Sequence, residues 1–181
     1  MRAFIAIPLP AALRADLAAF AAAAAAPLSG RPVPAANLHA TVHFLGSVED
    51  GDAERLAAAL GPACSSIEPF VLRLADAALA PPRRPRMIWA RLEAPPELTA
   101  LARAAAAAAA PFAPDAREPR TGNPHVTLAR LHRPPRRGTE LPPIAAAGTE
   151  IAVAACELVR SELRSGGARY TTLAPLPLGA A

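Results

Sequence analysis

The chain has 181 residues, 52% of them hydrophobic and 19% charged, with a net charge of +4. That is enough for one core, or for two small lobes sharing one, and too apolar for a disordered chain. All 19 basic residues are Arg; the missing Lys excludes a P-loop and any Lys-based Schiff-base or nucleotidyl chemistry. Cys64 and Cys156 lie far apart in the sequence and form no CxxC pair, which excludes a disulfide scaffold and implies a reducing, cytoplasmic setting.

In chain order, residues 2–7 (RAFIAI) read as a buried strand ended by Pro8. Pro10 opens a helix over 11–26, with Leu13, Leu17 and Phe20 at helical spacing. Pro8, Pro10, Arg14 and Asp16 interrupt the apolar N-terminal stretch, so a strand and helix are expected rather than a leader or a membrane span. Residues 27–34 form a loop, and 38–45 (LHATVHFL) a strand that Gly46 ends. A helix is expected over 52–60, a strand over 70–74, a basic loop over 81–85, a strand over 87–93 and an Ala-rich helix over 95–110. After a loop come a strand over 126–131 and a Pro/Arg loop over 133–143. Residues 150–163 read as one strand with a bend, and Gly166-Gly167 as the turn into a returning strand over 168–173.

Two stretches repeat the order strand, Ala-rich helix, strand, and each ends in His-x-Thr: NLHATV and NPHVTL. Phe4 precedes His39 by 35 positions and Ile88 precedes His125 by 37. We read an internal duplication that delivers two matched motifs.

Alternate residues of a strand share a face, so His39 projects with Thr41 and His125 with Thr127. If the lobes face each other, two imidazoles and two hydroxyls converge on one cleft. A neutral imidazole takes a proton from water, and an imidazolium gives one to a leaving oxygen. Placed on opposite sides of a phosphorus, such a pair suits in-line displacement, and the hydroxyls suit the charged non-bridging oxygens. A lone His-x-Thr is more often a satisfied polar pair; the matched copy reverses that reading. A zinc site needs a third ligand, and neither motif has Cys, Asp or Glu beside it at ligand spacing, so no metal is expected.

Asn37 and Asn123, the two Asn of the chain, each precede a motif His by two positions and read as strand starts, the alternative being side-chain amides that orient the rings. His43 reads as a groove-edge or surface residue, and His132 as exposed. Strict alternation turns Arg130 away from His125, so a phosphate role for it needs a bulge or a strand end. Arg83, Arg84 and Arg86, then Arg117 and Arg120, then Arg133, Arg136 and Arg137 form basic loops, either a solvated surface or a rim for a polyanion.

MRAFIAIPLP, NLHATVHFLG, PHVTLAR and the terminal SELRSGGARYTTLAPLPL together resemble the 2H phosphoesterase superfamily, and most closely its LigT-type RNA 2′,3′-cyclic phosphodiesterases. The likeness runs nearly from end to end. It implies one α+β domain over 1–181, bilobal, with two antiparallel β-sheets lining a central cleft, helices outside and an internal pseudo-twofold duplication. It implies hydrolysis of 2′,3′-cyclic phosphate ends to 2′-phosphomonoesters with no metal and no cofactor. His39 is then the proton donor, His125 the proton acceptor, and Thr41 and Thr127 hold the phosphate. The expected partner is RNA with such an end, or a cyclic nucleotide, with no membrane and a monomeric protein. The alternatives are 2′-5′ ligation or cleavage of 2′-5′ linkages, and a binding module that keeps the cleft without turnover. This chain has Arg31-Pro32-Val33 where the family often carries an aromatic after the Arg, and a small Ala40 beside the first His.

Overall fold

The computed structural model describes residues 1–119, 121–165 and 167–179. Arg120 and Gly166, part of the expected basic loop and turn, lie outside the described residues. The elements are β1 (Arg2–Pro8), α1 (Ala11–Ala25), β2 (Gly30–Pro32), β3 (His39–Ser47), α2 (Ala53–Ser65), β4 (Phe70–Ala80), β5 (Met87–Glu93), α3 (Pro96–Ala109), β6 (His125–Leu131), β7 (Glu150–Val153), β8 (Ala155–Arg164) and β9 (Gly167–Pro177).

The strands form one curled antiparallel sheet in the order β7-β4-β5-β6-β3-β1-β8-β9, with β2 also on β6. Outward from the β6/β3 seam, each half runs from its His strand to the strand before its Ala-rich helix (β5 or β1), then to a further strand and an edge. The two expected sheets are therefore halves of one. They are joined at Ala40↔Val126, beyond which β2 takes over the edge of β6 as Gly30↔Leu131, Arg31↔Arg130 and Pro32↔Ala129. A three-residue strand of Gly, Arg and Pro carries no strand signal, which is why 27–34 reads as a loop.

The core lies between one face of this sheet and the helices. Leu13, Leu17 and Ala21 of α1, Leu56 and Leu60 of α2, and Leu98, Leu101 and Ala105 of α3 are buried against Ile5, Ile7, Ile88, Leu128 and Leu158. α1 packs on β6 and α3 on β3, so each half's helix supports the other half's His strand. By length and hydropathy alone, Ala11–Leu28 would reach across a bilayer, with 18 residues at mean hydropathy 1.4; in this fold its Leu and Ala face joins the core. α2 runs past Gly61-Pro62 because Leu56, Leu60 and Cys64 continue one buried stripe.

Residues 150–163 are two strands rather than one bent strand. The break at Ala154 sends β7 to β4 in one half and β8 to β1 in the other. Cys64 on α2 and Cys156 on β8 meet in the core, with Sγ atoms 3.7 Å apart. Both are free thiols.

Candidate active site

The motif residues sit on the central strands, on the face of the sheet opposite the main core. His39, Thr41, His125, Thr127 and Arg130 line one cleft of about 200 Å³, together with Arg31, Asn37, Phe44 and Tyr170. The four motif residues therefore come together, and Arg130 joins them.

The backbone does this with one device used twice. In β3, Thr41 pairs with Ala6 and His43 with Ile5, so Val42 is an unpaired extra residue. In β6, Thr127 pairs with Trp89 and Ala129 with Ile88, so Leu128 is the extra residue. Each bulge lies directly after its Thr and reverses the alternation beyond it. The burial sequence from His to the sixth residue is the same in both strands.

Two consequences follow for the expected residues. His43 is turned to the core and is 4% exposed, not at the groove edge or surface. Its place on the cleft face passes to Phe44, 67% exposed. In the second half, the bulge that strict alternation lacked is present, and Arg130 faces the cleft opposite Arg31. His132 is exposed, as are Arg83, Arg84, Arg86, Arg117, Arg133, Arg136 and Arg137, and none of them lines the cleft.

Each imidazole is held in the same way. His39 Nδ1 donates to the Asn37 carbonyl at 2.8 Å, and His125 Nδ1 donates to the Asn123 carbonyl at 2.8 Å. A carbonyl can only accept, so Nδ1 carries the proton and Nε2 is left for chemistry. The Asn residues thus orient the rings through their backbone. Asn37 also donates from Nδ2 to the Ala168 carbonyl at 2.8 Å, tying its loop to β9. His39 Nε2 lies 3.1 Å from Thr41 Oγ1.

Aromatic rings back both imidazoles. Trp89 stacks flat on His125, with centroids 3.6 Å apart at 16°. Phe4 stacks on His39 at 4.8 Å, and Tyr170 meets the same ring edge-on at 5.4 Å. Burial pushes the His39 pKa below 6.5, helped by the charge of His125 and opposed by the Asn37 carbonyl and Glu157. Burial also lowers His125, opposed by the Asn123 carbonyl. Among the described residues, no three His, Cys, Asp or Glu are grouped to hold a metal ion.

The family profile described as LigT like Phosphoesterase matches residues 7–89. The RNA 2′,3′-cyclic phosphodiesterase of Escherichia coli K12 is 33% identical over 177 residues, 95% of this chain and 93% of that one. The chain belongs to the LigT-like phosphoesterase family. Its fold is the family's: a Thermus thermophilus structure superposes with a TM-score of 0.81 at 31% identity, over 99% of this chain and 98% of that one. E. coli LigT complexed with 3′-AMP does so with a TM-score of 0.80 at 31% identity, over the same shares.

Sequence reasoning passed over Phe4, Phe44, Trp89, Tyr170 and Arg31 as site residues of this LigT-like phosphoesterase. Phe4 and Trp89 could have been found from the repeat, since each lies on the strand that opens its copy. Phe44 and Arg31 depend on the bulge and on β2, which leave no mark in residue type.

Proposed function

We propose that this protein hydrolyses RNA 2′,3′-cyclic phosphate ends to 2′-phosphomonoesters by acid–base catalysis between His39 and His125, without a metal. What carries the reading is the pair of imidazoles in one cleft, each with Nδ1 tied to a carbonyl and Nε2 left for proton transfer.

His125 Nε2 takes a proton from water as the water oxygen bonds to phosphorus. The bond from phosphorus to O3′ breaks, and His39 Nε2–H gives its proton to that oxygen. The 2′-ester bond stays, which leaves a 2′-phosphomonoester. Thr41, Thr127 and Arg130 hold the non-bridging oxygens, where charge builds in the transition state. Phe44, mostly exposed at the cleft, offers a flat face for a base. The E. coli relative's activity and the 3′-AMP complex of E. coli LigT support a nucleotide or RNA substrate.

A metal has no role in this reading, because the histidines already supply both proton transfers and the described residues offer no three-ligand cluster. The reading takes 1–181 as one catalytic domain acting as a monomer in the cytoplasm.

The test is turnover of nucleoside 2′,3′-cyclic phosphates and of an oligonucleotide with that end, in excess EDTA. The expected product is the 2′-phosphate at an undiminished rate. Absence of turnover overturns the reading, and loss in EDTA with recovery on zinc or manganese overturns its metal-free part. Joining of 2′-5′ ends in preference to hydrolysis would assign the reverse reaction instead.

A further inference from the structure

Acid–base catalysis across one phosphorus needs one imidazole charged and the other neutral. The two histidines share one backbone frame, so something beyond that frame must separate them. The strand register identifies a difference. Outward from Thr41, the paired residues are Ala6 on β1 and Glu157 on β8. Outward from Thr127, they are Trp89 on β5 and Ala78 on β4. Directly paired residues on antiparallel strands stand on the same face. On the His39 side a carboxylate stands two strands away across a methyl group. On the His125 side an indole fills the nearer place and a methyl group the farther one.

Glu157 also shares a cavity with His39. This space, about 200 Å³, is lined by Arg14, His39, Glu157, Tyr170 and Thr172 among others, and it has His39 and Tyr170 in common with the cleft. Thr172 Oγ1 donates to Glu157 Oε2 at 3.0 Å, which fixes the carboxylate. The charged and titratable groups lining the two spaces around His39 are Arg14 from α1, Arg31 from β2, His125 and Arg130 from β6, Glu157 from β8 and Tyr170 from β9. Three of these are guanidinium groups that disfavour a second positive charge. Glu157 is the one carboxylate among the described residues that line either space.

We propose that Glu157 is a positioning residue for the catalytic proton, holding His39 rather than His125 as the imidazolium. This rests on the reading of the two histidines as an acid–base pair. Glu157 acts through space: it needs no bond to the ring, because Nδ1 is committed to the Asn37 carbonyl and Nε2 faces Thr41. Ala6 keeps the path between carboxylate and ring short of bulk, where the equivalent place in the other half holds Trp89. Burial lowers the His39 pKa overall, and Glu157 acts against that by raising it.

The experiment compares wild type, Glu157→Gln and Glu157→Asp by NMR titration of the histidine rings and by pH–rate profiles on a nucleoside 2′,3′-cyclic phosphate. Gln keeps the shape and the bond from Thr172 but removes the charge. The expected result is a lower titration midpoint for His39 alone. The rate on the alkaline side should fall about three- to tenfold while the acid side holds, an effect of the size a partly screened charge exerts at this range. Asp should recover part of both. Thr172→Val, which frees the carboxylate without removing it, should move His39 the same way and less. If His39 titrates alike in wild type and Glu157→Gln, or both histidines move together, the proposal falls. If wild type turns over no cyclic phosphate yet His39 alone moves, the catalytic reading falls and the charge asymmetry stands.

Discussion

Phe44 and Arg130 occupy the same place in the two halves of the sheet. Each lies five residues after its histidine, beyond one bulge, and faces the cleft. One is an exposed ring and the other a guanidinium. The same contrast recurs one strand away, where Ala6 pairs with Thr41 but Trp89 pairs with Thr127. The backbone supplies equivalence: two imidazoles aimed by two carbonyls, with two hydroxyls beside them. Side chains next to that frame divide the labour, giving one half an apolar face and a carboxylate, and the other a cation and an indole.

The largest effect that would break this comparison comes from the histidines. His125→Ala should lower kcat/KM by about 10²–10⁴ on any ester, since water always needs its base. His39→Ala should cost as much on a cyclic nucleotide but far less on a nitrophenyl phosphodiester, whose leaving oxygen needs no proton. Equal responses to leaving-group quality would abolish the division into acid and base. Thr41→Val and Thr127→Val come next, each costing about 1–3 kcal/mol of transition-state binding with no leaving-group dependence. Because Thr41 also touches His39 Nε2 at 3.1 Å, only its variant should shift the pH–rate profile.

Arg130→Gln sharpens the contrast with Phe44. It should raise KM about tenfold for a charged hydrogen bond and reduce the salt dependence of oligonucleotide binding. Phe44→Ala should weaken binding of base-bearing substrates and leave the salt dependence alone. The opposite pattern would reverse the two roles.

The smallest effect concerns His43, equivalent to Ala129 and buried. Burial lowers its pKa, countered by Glu118. The unfolded chain therefore binds this proton more readily, and stability is lost as pH falls from 6.5 toward the folded value. His43→Leu should flatten the decline in Tm between pH 7 and pH 5. An unchanged slope would show that His43 carries no such penalty.

These residues also mark how far the sequence could be read. Most of the strands and helices and the convergence of both His-x-Thr motifs were legible because hydrophobic period and motif spacing are local, while β2, a Gly-Arg-Pro strand, read as loop. The bulges at Val42 and Leu128 were not, since a bulge in a run of Val, Leu and Ala has no distinctive residue type. That single omission misplaced His43 and left Arg130 facing away. The split at Ala154 was hidden because β7 and β8 are each ordinary strands, and only their partners show that they belong to opposite halves. The meeting of Cys64 with Cys156 is a tertiary contact across 92 positions that no spacing rule reaches.

The chain holds one tryptophan, and it lies flat against the ring read as the base. An excited indole readily passes an electron to an imidazolium and far less readily to a neutral imidazole. The protein's ultraviolet emission is therefore a built-in optical gauge of a single proton. It should dim on acidification at a midpoint below pH 6.5, in line with the lowered His125 pKa. In His125→Gln the dimming should vanish. A phosphate-bearing ligand, which favours the protonated ring, should displace the midpoint upward, so that occupancy of the cleft can be followed by light with no label attached.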